Sequence, residues 1–469
     1  MSNRALAFTA ERLLQILKSF PPVNSYVVGF SGGADSTALL HALSKIHPQL
    51  DAPVSAVHIN HGIHPDADHW QLQCENFCRQ HGMDLICLKI DLKNRSGKGL
   101  EAEARHLRYE AISSLLNPAD CLLTAHHADD QAETLLLNLM RGSGVDGLAG
   151  MPECRPLGSG VLQRPLLSFK NSALRNYLHE NDIAWTEDPS NRHLDHDRNF
   201  VRHAVIPLLE QRWPEVSQRL LLTCEAMADA RHLLERLADE YLGLNPGLCP
   251  FVLQITPQCQ AHPELFKLVV RRWLKRTDAP GIPAYKLDTF CDQVQQAEND
   301  HNISVRWGDW TLRWYKNKLW LHPCVEILPC PVVAWPQEKT EVDLGKDVGR
   351  LVLRTGTPTG NRPDTGTRLF PDGEFSVGGR VNLATSVISL GGHHKSLKNL
   401  FQSANIPPWL RDSIPLCTLD SEIVAIGDWC FNERFASWLA EKGTRLNWHP
   451  RHPLLEFILQ QQHRANIDG

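Results

Sequence analysis

The stretch VVGFSGGADSTALL, residues 27–40, has the form of a strand, a tight turn and the first turns of a helix. Apolar residues lead into Ser31-Gly32-Gly33, and Asp35 and Ser36 come before the next apolar run. A turn of this kind presents backbone N–H groups at a helix N-terminus, with a hydroxyl at each end and one carboxylate. These groups suit a pyrophosphate with a Mg²⁺ ion bridged to Asp35. The structural alternative is an ordinary helix N-cap, where Asp and Ser are common.

The length and composition of the chain limit the classes of protein to which this turn can belong. At 469 residues the chain is too long for one ordinary core, so about two or three domains are expected. No stretch is predicted to be a signal peptide or to span a membrane. The 13 cysteines form no C-x-x-C pair, which favours reduced thiols and a cytoplasmic location. The net charge of −5 argues against a surface coated with nucleic acid, although it allows a local basic patch.

Short apolar runs alternate with helical stretches in the first part of the chain. The runs SYVVGF, VSAVHIN, DLICLKI and CLLTA are predicted strands, and residues 36–46, 66–81 and 100–116 are predicted crossover helices. This alternation predicts an α/β domain with a doubly wound parallel sheet over residues 1–215. In such a sheet, ligands bind at the carboxyl ends of the strands.

The pattern changes after residue 215. Residues 216–330 are predicted to form a mainly helical domain that ends in a hairpin, with turns at Gly308-Asp309 and Lys316-Asn317. The Pro-rich segment HPCVEILPCPVVAWPQ, residues 322–337, is predicted to be a linker. Residues 340–445 are predicted to form a small mixed α+β domain, with a helix near KSLKNLFQSA.

Two familiar phosphate-binding motifs do not account for the opening turn. A Walker A loop requires a lysine after its glycines, and none is present here. A G-x-G-x-x-G pattern occurs at residues 142–147, but it follows the helical stretch AETLLLNLM. A dinucleotide fingerprint must follow a strand, so this second pattern is interpreted as a helix C-cap and turn.

The SGGADS turn resembles the SGGxDS signature of the PP-loop ATP pyrophosphatases. Within that superfamily the chain resembles the tRNA(Ile)-lysidine synthetases, and the similar segments run from the first strand to beyond residue 415. They are VHINHGIHPDADHW, GLEAEARHLRYEAI, LLTAHHADDQAETLLLNLMRGSGVDGLAGM, RPLLSFKNSALRNYL, WTEDPSNRHLDHDRNFVRHAVIPLL and KSLKNLFQSANIPPWLRDSIPL. The resemblance implies that ATP adenylates the C2 carbonyl of the wobble cytidine in a CAU anticodon. Free lysine would then displace AMP to give lysidine.

The resemblance also implies which residues bind ATP. These are the turn residues Ser31, Gly32, Gly33, Ala34, Asp35 and Ser36, with Asp35 as the Mg²⁺ ligand and Asp35 and Ser36 counted as catalytic. From the predicted topology, His58 and Asn60 end the second strand at a switch point, where an adenosine would lie. The alternative is a buried strand with a polar tip.

The stretch TAHHADDQAET, residues 124–134, is the expected lysine site. If its helix begins near Ala128, Asp130 and Glu133 share one face, and carboxylates there could bind ammonium groups. The alternative is that the acids only stabilise the positive end of the helix dipole. The resemblance places lysine on Asp130 and Glu133, with His126 and Asp130 as catalytic residues. Arg105 is the candidate for the lysine carboxylate, although a surface pair with Glu101 would also explain it.

Several basic residues are predicted to contact the tRNA. They are Arg192, Arg198, Asn199 and Arg202 in DPSNRHLDHDRNFVRH, Arg271 and Arg272 on a later helix, and Lys395 and Lys398 near the end of the chain. Tryptophans on the predicted hairpin could stack on bases, but packing in the domain core is the commoner arrangement. A homodimer is possible.

Two other functions are also compatible with the sequence. A PP-loop tRNA thiolase would adenylate a base before sulfur transfer, but such enzymes generally need an active-site or paired cysteine. Here Cys74 and Cys78, spaced C-x-x-x-C on a predicted helix, are the closest pair. A binding module without catalytic activity is the other alternative, and the intact SGGADS turn and the nearby acids argue against it.

Overall fold

The structure is a computed structural model of the chain. It describes residues 7–60, 62, 65–90, 100–187, 196–244, 249–277, 279–296, 303–324, 327–355, 370–382 and 387–467. The chain folds as two compact units, Met1–Leu233 and Leu234–Gly469. None of the described helices combines the length and the apolar composition needed to cross a bilayer.

The first unit alternates strands and helices. Its strands are β1 (Ser25–Gly29), β2 (Val54–Asn60), β3 (Asp84–Lys89), β4 (Asp120–Leu123), β5 (Cys154–Leu157) and β6 (Gly160–Gln163). Its helices are α1 (Ala10–Ser19), α2 (Ala34–Ile46), α3 (Ala67–Gln80), α4 (Leu100–Ser113), α5 (Ala128–Met140), α6 (Val145–Leu148), α7 (Asn171–Glu180), α8 (Asp197–Phe200) and α9 (Ile206–Arg212). A π-helical turn, Val201–Val205, joins α8 to α9, and helix α10 (Val216–Leu244) begins in this unit.

The six strands form one sheet in the order β3-β2-β1-β4-β6-β5. All neighbours are parallel except β5, which is antiparallel to β6 at the edge. The chain runs outward from β1 to β3 and then returns to β4 on the other side of β1. The strand order therefore reverses between β1 and β4, and ligands bind at such a point in open α/β sheets.

Helices cover both faces of this sheet because strand β1 is apolar on both sides. Val28 belongs to the cluster that packs against α1, α2, α3 and α7, whereas Val27 belongs to the cluster under Ile112 of α4. Side chains alternate between the faces of a strand, so a run of apolar residues is what a two-sided sheet requires. The predicted doubly wound α/β fold is confirmed.

The G-x-G-x-x-G pattern at residues 142–147 is a helix end, as predicted. Helix α5 ends at Met140, and Gly142 has a φ of +69°, the left-handed conformation typical of a residue just past a helix. The pattern is therefore not the strand-to-helix turn of a dinucleotide fingerprint.

The second unit begins with helices and continues with β-structure. Its helices are the end of α10, α11 (Pro257–Ala261), α12 (Pro263–Arg276), α13 (Ala284–Gln296), α14 (Leu397–Ser403), α15 (Glu433–Glu441) and α16 (Pro453–Ile467). Its strands are β7 (Val252–Gln254), β8 (Ile303–Trp307), β9 (Trp310–Tyr315), β10 (Lys318–Pro323), β11 (Val333–Ala334), β12 (Glu341–Asp343), β13 (Arg350–Thr355), β14 (Phe375–Gly378), β15 (Val387–Leu390), β16 (His393–Ser396), β17 (Leu416–Leu419), β18 (Glu422–Ile426), β19 (Cys430–Phe431) and β20 (Thr444–His449).

The two predicted hairpin turns are present. Strands β8, β9 and β10 form an antiparallel meander, and Lys316 and Asn317 both have positive φ values, as a tight hairpin turn requires. Trp307 and Trp314 are buried against α12 and α13, so the packing alternative is the correct one for these tryptophans. They are not available to stack on bases.

The second and third predicted domains share one hydrophobic cluster. Tyr315 and Trp320, on the opposite face of the meander from Trp314, pack with residues from the C-terminal sheets and helices. The Pro-rich segment is not a free linker, because Cys330 and Trp335 are buried in the same cluster and β11 pairs with β14. The structure also continues beyond the predicted limit at residue 445, since β20 ends at His449 and α16 follows it.

Candidate active site

A cavity of about 1140 Å³ lies in the first unit, at the carboxyl ends of β1, β2 and β4. Its lining includes most of the predicted nucleotide and lysine residues: Ser31, Gly33, Ala34, Asp35, Ser36, His58, Asn60, His126, Asp130 and Glu133. Residues that are far apart in the sequence meet here because β1 and β4 are adjacent. The switch point of the sheet therefore carries the candidate site.

The turn between β1 and α2 is held by its own serines. Ser36 Oγ accepts a hydrogen bond from the backbone N–H of Ser31 at 3.2 Å and donates to Gly33 O at 3.1 Å. The two hydroxyls are 3.0 Å apart. Gly32 has a φ of +80°, and a Cβ there would approach Cys74 Sγ at 3.1 Å, so this position favours glycine for two reasons. The serines therefore preform the turn that ATP would bind.

The carboxylate of Asp35 is held by a residue from another element. The side-chain amide of Asn171, the first residue of α7, donates to Asp35 Oδ1 at 2.6 Å. The other carboxylate oxygen lies 3.5 Å from His127 Nε2. The Asp35 side chain is 35% exposed, so it still faces the cavity.

His127 is a buried cation among three carboxylates. Its Nε2 lies 3.5 Å from oxygens of both Asp35 and Asp130, and its Nδ1 lies 3.5 Å from Asp129 Oδ2. Burial opposes protonation, but the contacts with Asp129 and Asp35 and the charge of Asp130 outweigh it and raise the pKa of His127 to about 10. Nδ1 makes no hydrogen bond of good geometry, so at this separation its attraction to Asp129 is mainly one of charge.

Asp130 and Glu133 are paired with two arginines from α8 and the π-helical turn. Arg198 donates to Asp130 Oδ1 and to Glu133 Oε2, both at 2.8 Å. Arg202 donates to Asp130 Oδ1 at 3.0 Å and to Glu133 Oε1 at 2.5 Å. Glu133 is 1% exposed, and the two guanidinium groups supply the charge that makes its burial tolerable. The structure thus brings two predicted tRNA residues onto the two predicted lysine ligands.

The charges of Asp130 and Arg202 are affected by this pairing. Burial would raise the pKa of Asp130, but the nearby charges of His127 and Arg198 lower it below its usual value. For Arg202, burial is likewise outweighed by its hydrogen bond to Glu133, and the pKa of the guanidinium is raised. Both ion-pair partners are therefore charged near neutral pH.

His58 and Asn60 lie where the topology predicted, but both side chains are already engaged. His58 Nδ1 is 2.9 Å from Phe30 O, and burial lowers its pKa. The Asn60 amide donates to Asp68 at 2.9 Å and to Gln71 at 3.0 Å. Asn60 therefore ties the end of β2 to α3, and its part in nucleotide binding stays a prediction.

Among the other predicted residues that the structure describes, Asn199, Arg271, Arg272, Lys395 and Lys398 do not line the cavity. Arg192 and the side chain of Arg105 lie outside the described residues. Asn199 lies on α8 beside Arg198. In the second unit, Arg272 pairs with Asp239 at 2.5 Å, while Arg271, Lys395 and Lys398 are exposed. Their contacts with tRNA stay predictions.

Sequence reasoning selected His126 and missed its neighbour His127. The structure puts His126 Nδ1 2.9 Å from Thr124 Oγ1 in the cavity wall, while His127 is buried at the centre of the carboxylates. Both residues follow the same strand, so the sequence does not distinguish them. Asn171 was also missed, because no motif around it indicates that it reaches Asp35.

Cys74 and Cys78, the closest cysteine pair in the sequence, do not form a reactive pair. Cys74 and Cys78 are both buried on α3, and burial raises the pKa of each thiol to about 12. Since the thiolate is the nucleophile, these side chains are unsuited to sulfur transfer.

Asp35 also fits the proposed Mg²⁺ ion. Within the described part of the chain, no group of three or more His, Cys, Asp or Glu side chains could hold a metal by itself. Magnesium bound with a nucleotide typically takes only one or two carboxylates and completes its shell with phosphate and water oxygens. A single carboxylate that faces the cavity beside the turn is consistent with this arrangement.

Comparison with protein-family models and with curated proteins identifies the family. The chain matches a PP-loop domain over residues 6–209, a TilS substrate binding domain over 253–320 and a TilS substrate C-terminal domain over 377–448. It is 38% identical to a tRNA(Ile)-lysidine synthase of Alkalilimnicola ehrlichii, over 93% of this chain and 96% of the relative. The chain belongs to the tRNA(Ile)-lysidine synthase family.

A second curated relative agrees with this assignment. A tRNA(Ile)-lysidine synthase of Methylococcus capsulatus is 36% identical, over 92% of this chain and 97% of the relative. Among solved structures, a U34-tRNA thiolase of Methanococcus maripaludis matches 47% of this chain and 78% of its own, with 16% identity and a TM-score of 0.39. Membership of the lysidine synthase family, with its PP-loop domain, implies that the chain uses ATP.

The charge on His127 predicts a pH dependence of stability. Folding raises its pKa from 6.5 to about 10, so the stabilisation is complete below pH 6.5 and is lost as the pH rises through 10. Wild type should therefore lose more stability than His127→Gln between pH 7 and pH 10, by at most about 1.4 kcal/mol for each pH unit. Urea unfolding of the full-length chain at both pH values, without added divalent ions, measures this difference.

A matched control is His47→Gln, because His47 is exposed in the same unit. It should show the same pH dependence as wild type. If His127→Gln also shows it, then His127 is not a buried imidazolium.

Proposed function

We propose that the chain ligates lysine to C2 of the wobble cytidine in the CAU anticodon of tRNA(Ile), with ATP converted to AMP and pyrophosphate. The observation that carries the proposal is the junction of the SGGADS turn with Asp130 and Glu133 in one cavity of a chain from this family. The turn suits the phosphates of ATP, and the acids suit an ammonium group.

In the first step, the cytidine C2 oxygen attacks the α phosphorus of ATP and pyrophosphate leaves. The backbone N–H groups of the turn and the N-terminus of α2 would hold the β and γ phosphates. Ser31 and Ser36 keep that turn in shape before the nucleotide arrives. The main contribution of the chain to this step is thus to position the reacting groups and to stabilise negative charge.

Asp35 would hold the Mg²⁺ ion. When bound, the ion would neutralise charge on the phosphate oxygens. Asn171 and His127 contact the same carboxylate, so its direction is set within the protein.

In the second step, the ε-amine of lysine attacks C2 and AMP leaves. Asp130 and Glu133 would bind ammonium groups of lysine and would share their oxygens with Arg198 and Arg202. The surrounding cations lower the pKa of Asp130, so its carboxylate suits holding an ammonium rather than removing its proton. We assign proton removal to His126, which lines the same cavity.

The tRNA would contact the chain through its basic residues. Arg271, Lys395 and Lys398 are exposed and are suited to phosphate groups. Arg272 is less available because Asp239 accepts two hydrogen bonds from it, at 2.6 and 2.5 Å. The assignments of Arg105, Arg192, Arg198, Asn199 and Arg202 to lysine or tRNA belong to the same proposal.

A thiolase is the less favoured alternative. The PP-loop would serve a thiolase equally well, but the buried Cys74 and Cys78 offer no reactive thiol. The carboxylates in the cavity would also have no cationic substrate to bind.

The test of the proposal is incorporation of labelled lysine into an unmodified tRNA(Ile) transcript with a CAU anticodon, in the presence of ATP and Mg²⁺. One lysine incorporated for each AMP formed is the expected result. AMP formation without lysine transfer would contradict the second step. No AMP from a folded protein would contradict both steps.

Asp35→Ala should abolish tRNA-dependent AMP formation, because it removes the carboxylate that would hold Mg²⁺ beside the phosphates. The dissociation constant for tRNA should change by less than about 2-fold, since no basic residue is lost. Single-turnover AMP formation and a filter-binding assay measure the two effects. A variant that adenylates tRNA at the wild-type rate would show that Asp35 is not the Mg²⁺ ligand.

Glu133→Gln should raise the KM for lysine by about 10-fold or more, because an amide attracts an ammonium group far less than a carboxylate does. The KM for ATP should change by less than about 2-fold. Steady-state kinetics with each substrate varied in turn measures the two constants.

Glu210→Gln is the matched control. Glu210 lines the same cavity and accepts a hydrogen bond from Ser217 at 3.1 Å, which a glutamine oxygen can also accept. Its KM for lysine should stay at the wild-type value. If Glu133→Gln raised the KM for lysine and the KM for ATP equally, Glu133 would not be a lysine ligand.

A further inference from the structure

We propose that Asn171 is a positioning residue that orients the carboxylate of Asp35 toward the nucleotide. This inference rests on the proposed function of Asp35. It adds a residue from α7 to the residues of the SGGADS turn and of α5. Asn171 is the first residue of α7, and it lines the cavity.

The orientation of the Asn171 amide is determined from two sides. Arg175, one helical turn later, donates from Nε to Asn171 Oδ1 at 3.1 Å, and a guanidinium can only donate. The carboxylate of Asp35 can only accept, and it accepts from Asn171 Nδ2 at 2.6 Å. The oxygen of the amide must therefore face Arg175 and its NH₂ group must face Asp35.

The backbone of Asn171 anchors a second carboxylate of the site. Its N–H donates to Asp129 Oδ2 at 2.7 Å, and this bond satisfies one of the N–H groups that a helix start leaves without a partner. Asn171 thus connects α7 to the carboxylates that follow β1 and β4.

His127 cannot replace Asn171 in holding Asp35. Its Nε2 lies 3.5 Å from oxygens of both Asp35 and Asp130, which is too long for a well-formed hydrogen bond to either carboxylate. The 2.6 Å hydrogen bond from Asn171 is the shorter contact and selects one oxygen. Because the carboxylate is planar and rigid, a bond that fixes Oδ1 also fixes the position of the second oxygen, Oδ2.

Residues 185–187 stabilise the position of Arg175 and therefore of Asn171. Arg175 lies over the ring of Trp185 at 5.7 Å and pairs with Glu187 at 3.3 Å. The adjacent Thr186 N–H donates to Gly32 O at 2.9 Å. One segment therefore contacts both the phosphate turn and the arginine that orients Asn171.

The test compares Asn171→Asp with Asn171→Ala. Aspartate keeps the shape of asparagine and still accepts from Arg175, but it replaces the donor to Asp35 with a second carboxylate. A residue that only supports the fold would tolerate Asp better than Ala. A positioning residue would tolerate Asp no better than Ala, because both lose the bond to Asp35.

The readout is ATP binding by isothermal titration calorimetry without tRNA, so that no reaction occurs. For both variants, the dissociation constant measured with Mg²⁺ should rise by about 10-fold or more, which is typical for a lost hydrogen bond to a charged group. The constant measured with EDTA should change by less than about 2-fold. In the full assay, kcat for AMP formation should fall while the KM for lysine stays unchanged.

Asn181→Ala is the control, because Asn181 caps the other end of α7 through a bond to Tyr177 O at 2.8 Å. It should bind ATP as wild type does. Wild-type affinity of Asn171→Asp for ATP with Mg²⁺, or a tighter one, would overturn the proposal. If wild type makes no lysidine but the Mg²⁺-dependent difference is present, only the proposed function fails.

Discussion

The contact between the buried imidazolium of His127 and three carboxylates is the interaction on which the candidate site depends. Asp35 follows β1, and Asp129 and Asp130 follow β4, so the parallel sheet brings their negative charges to one point. Without a cation between them, these carboxylates would repel one another or take up protons. The positive charge of His127 reduces this repulsion from the buried side of the carboxylates. The exposed side of Asp35 therefore still faces the cavity, where a ligand could bind.

A second set of charges surrounds the first. Arg198 and Arg202 neutralise Asp130 and Glu133. The same ion pairs hold the two arginines against α5. Together, the four carboxylates of these two sets face three cations of the protein. The π-helical turn that carries Arg202 is a rare geometry, frequent at functional sites.

The fold and the position of the site could be predicted because their causes are local. The apolar run before SGGADS predicts β1 and the turn, and α5 begins at Ala128, where its start was predicted. What could not be predicted depends on contacts between distant residues. Nothing around Asn171 indicates that it lies 2.6 Å from Asp35, which is 136 positions away. The same holds for the choice between His126 and His127, since adjacent residues differ in burial only once the sheet is packed.

Pairing with acids reduces the attraction that several of the predicted tRNA-binding arginines can exert on RNA. A dense run of arginines in a sequence suggests a positive surface, but Arg198 and Arg202 are half-buried and paired with Asp130 and Glu133, and Arg272 is paired with Asp239. A paired guanidinium adds little to the long-range attraction of RNA, because its field is cancelled by its partner. Arg271, Lys395 and Lys398 remain exposed and are better suited to attract phosphates. The arginines near the cavity are better suited to act at short range, where a guanidinium with five donors can keep its carboxylate and still bind a base.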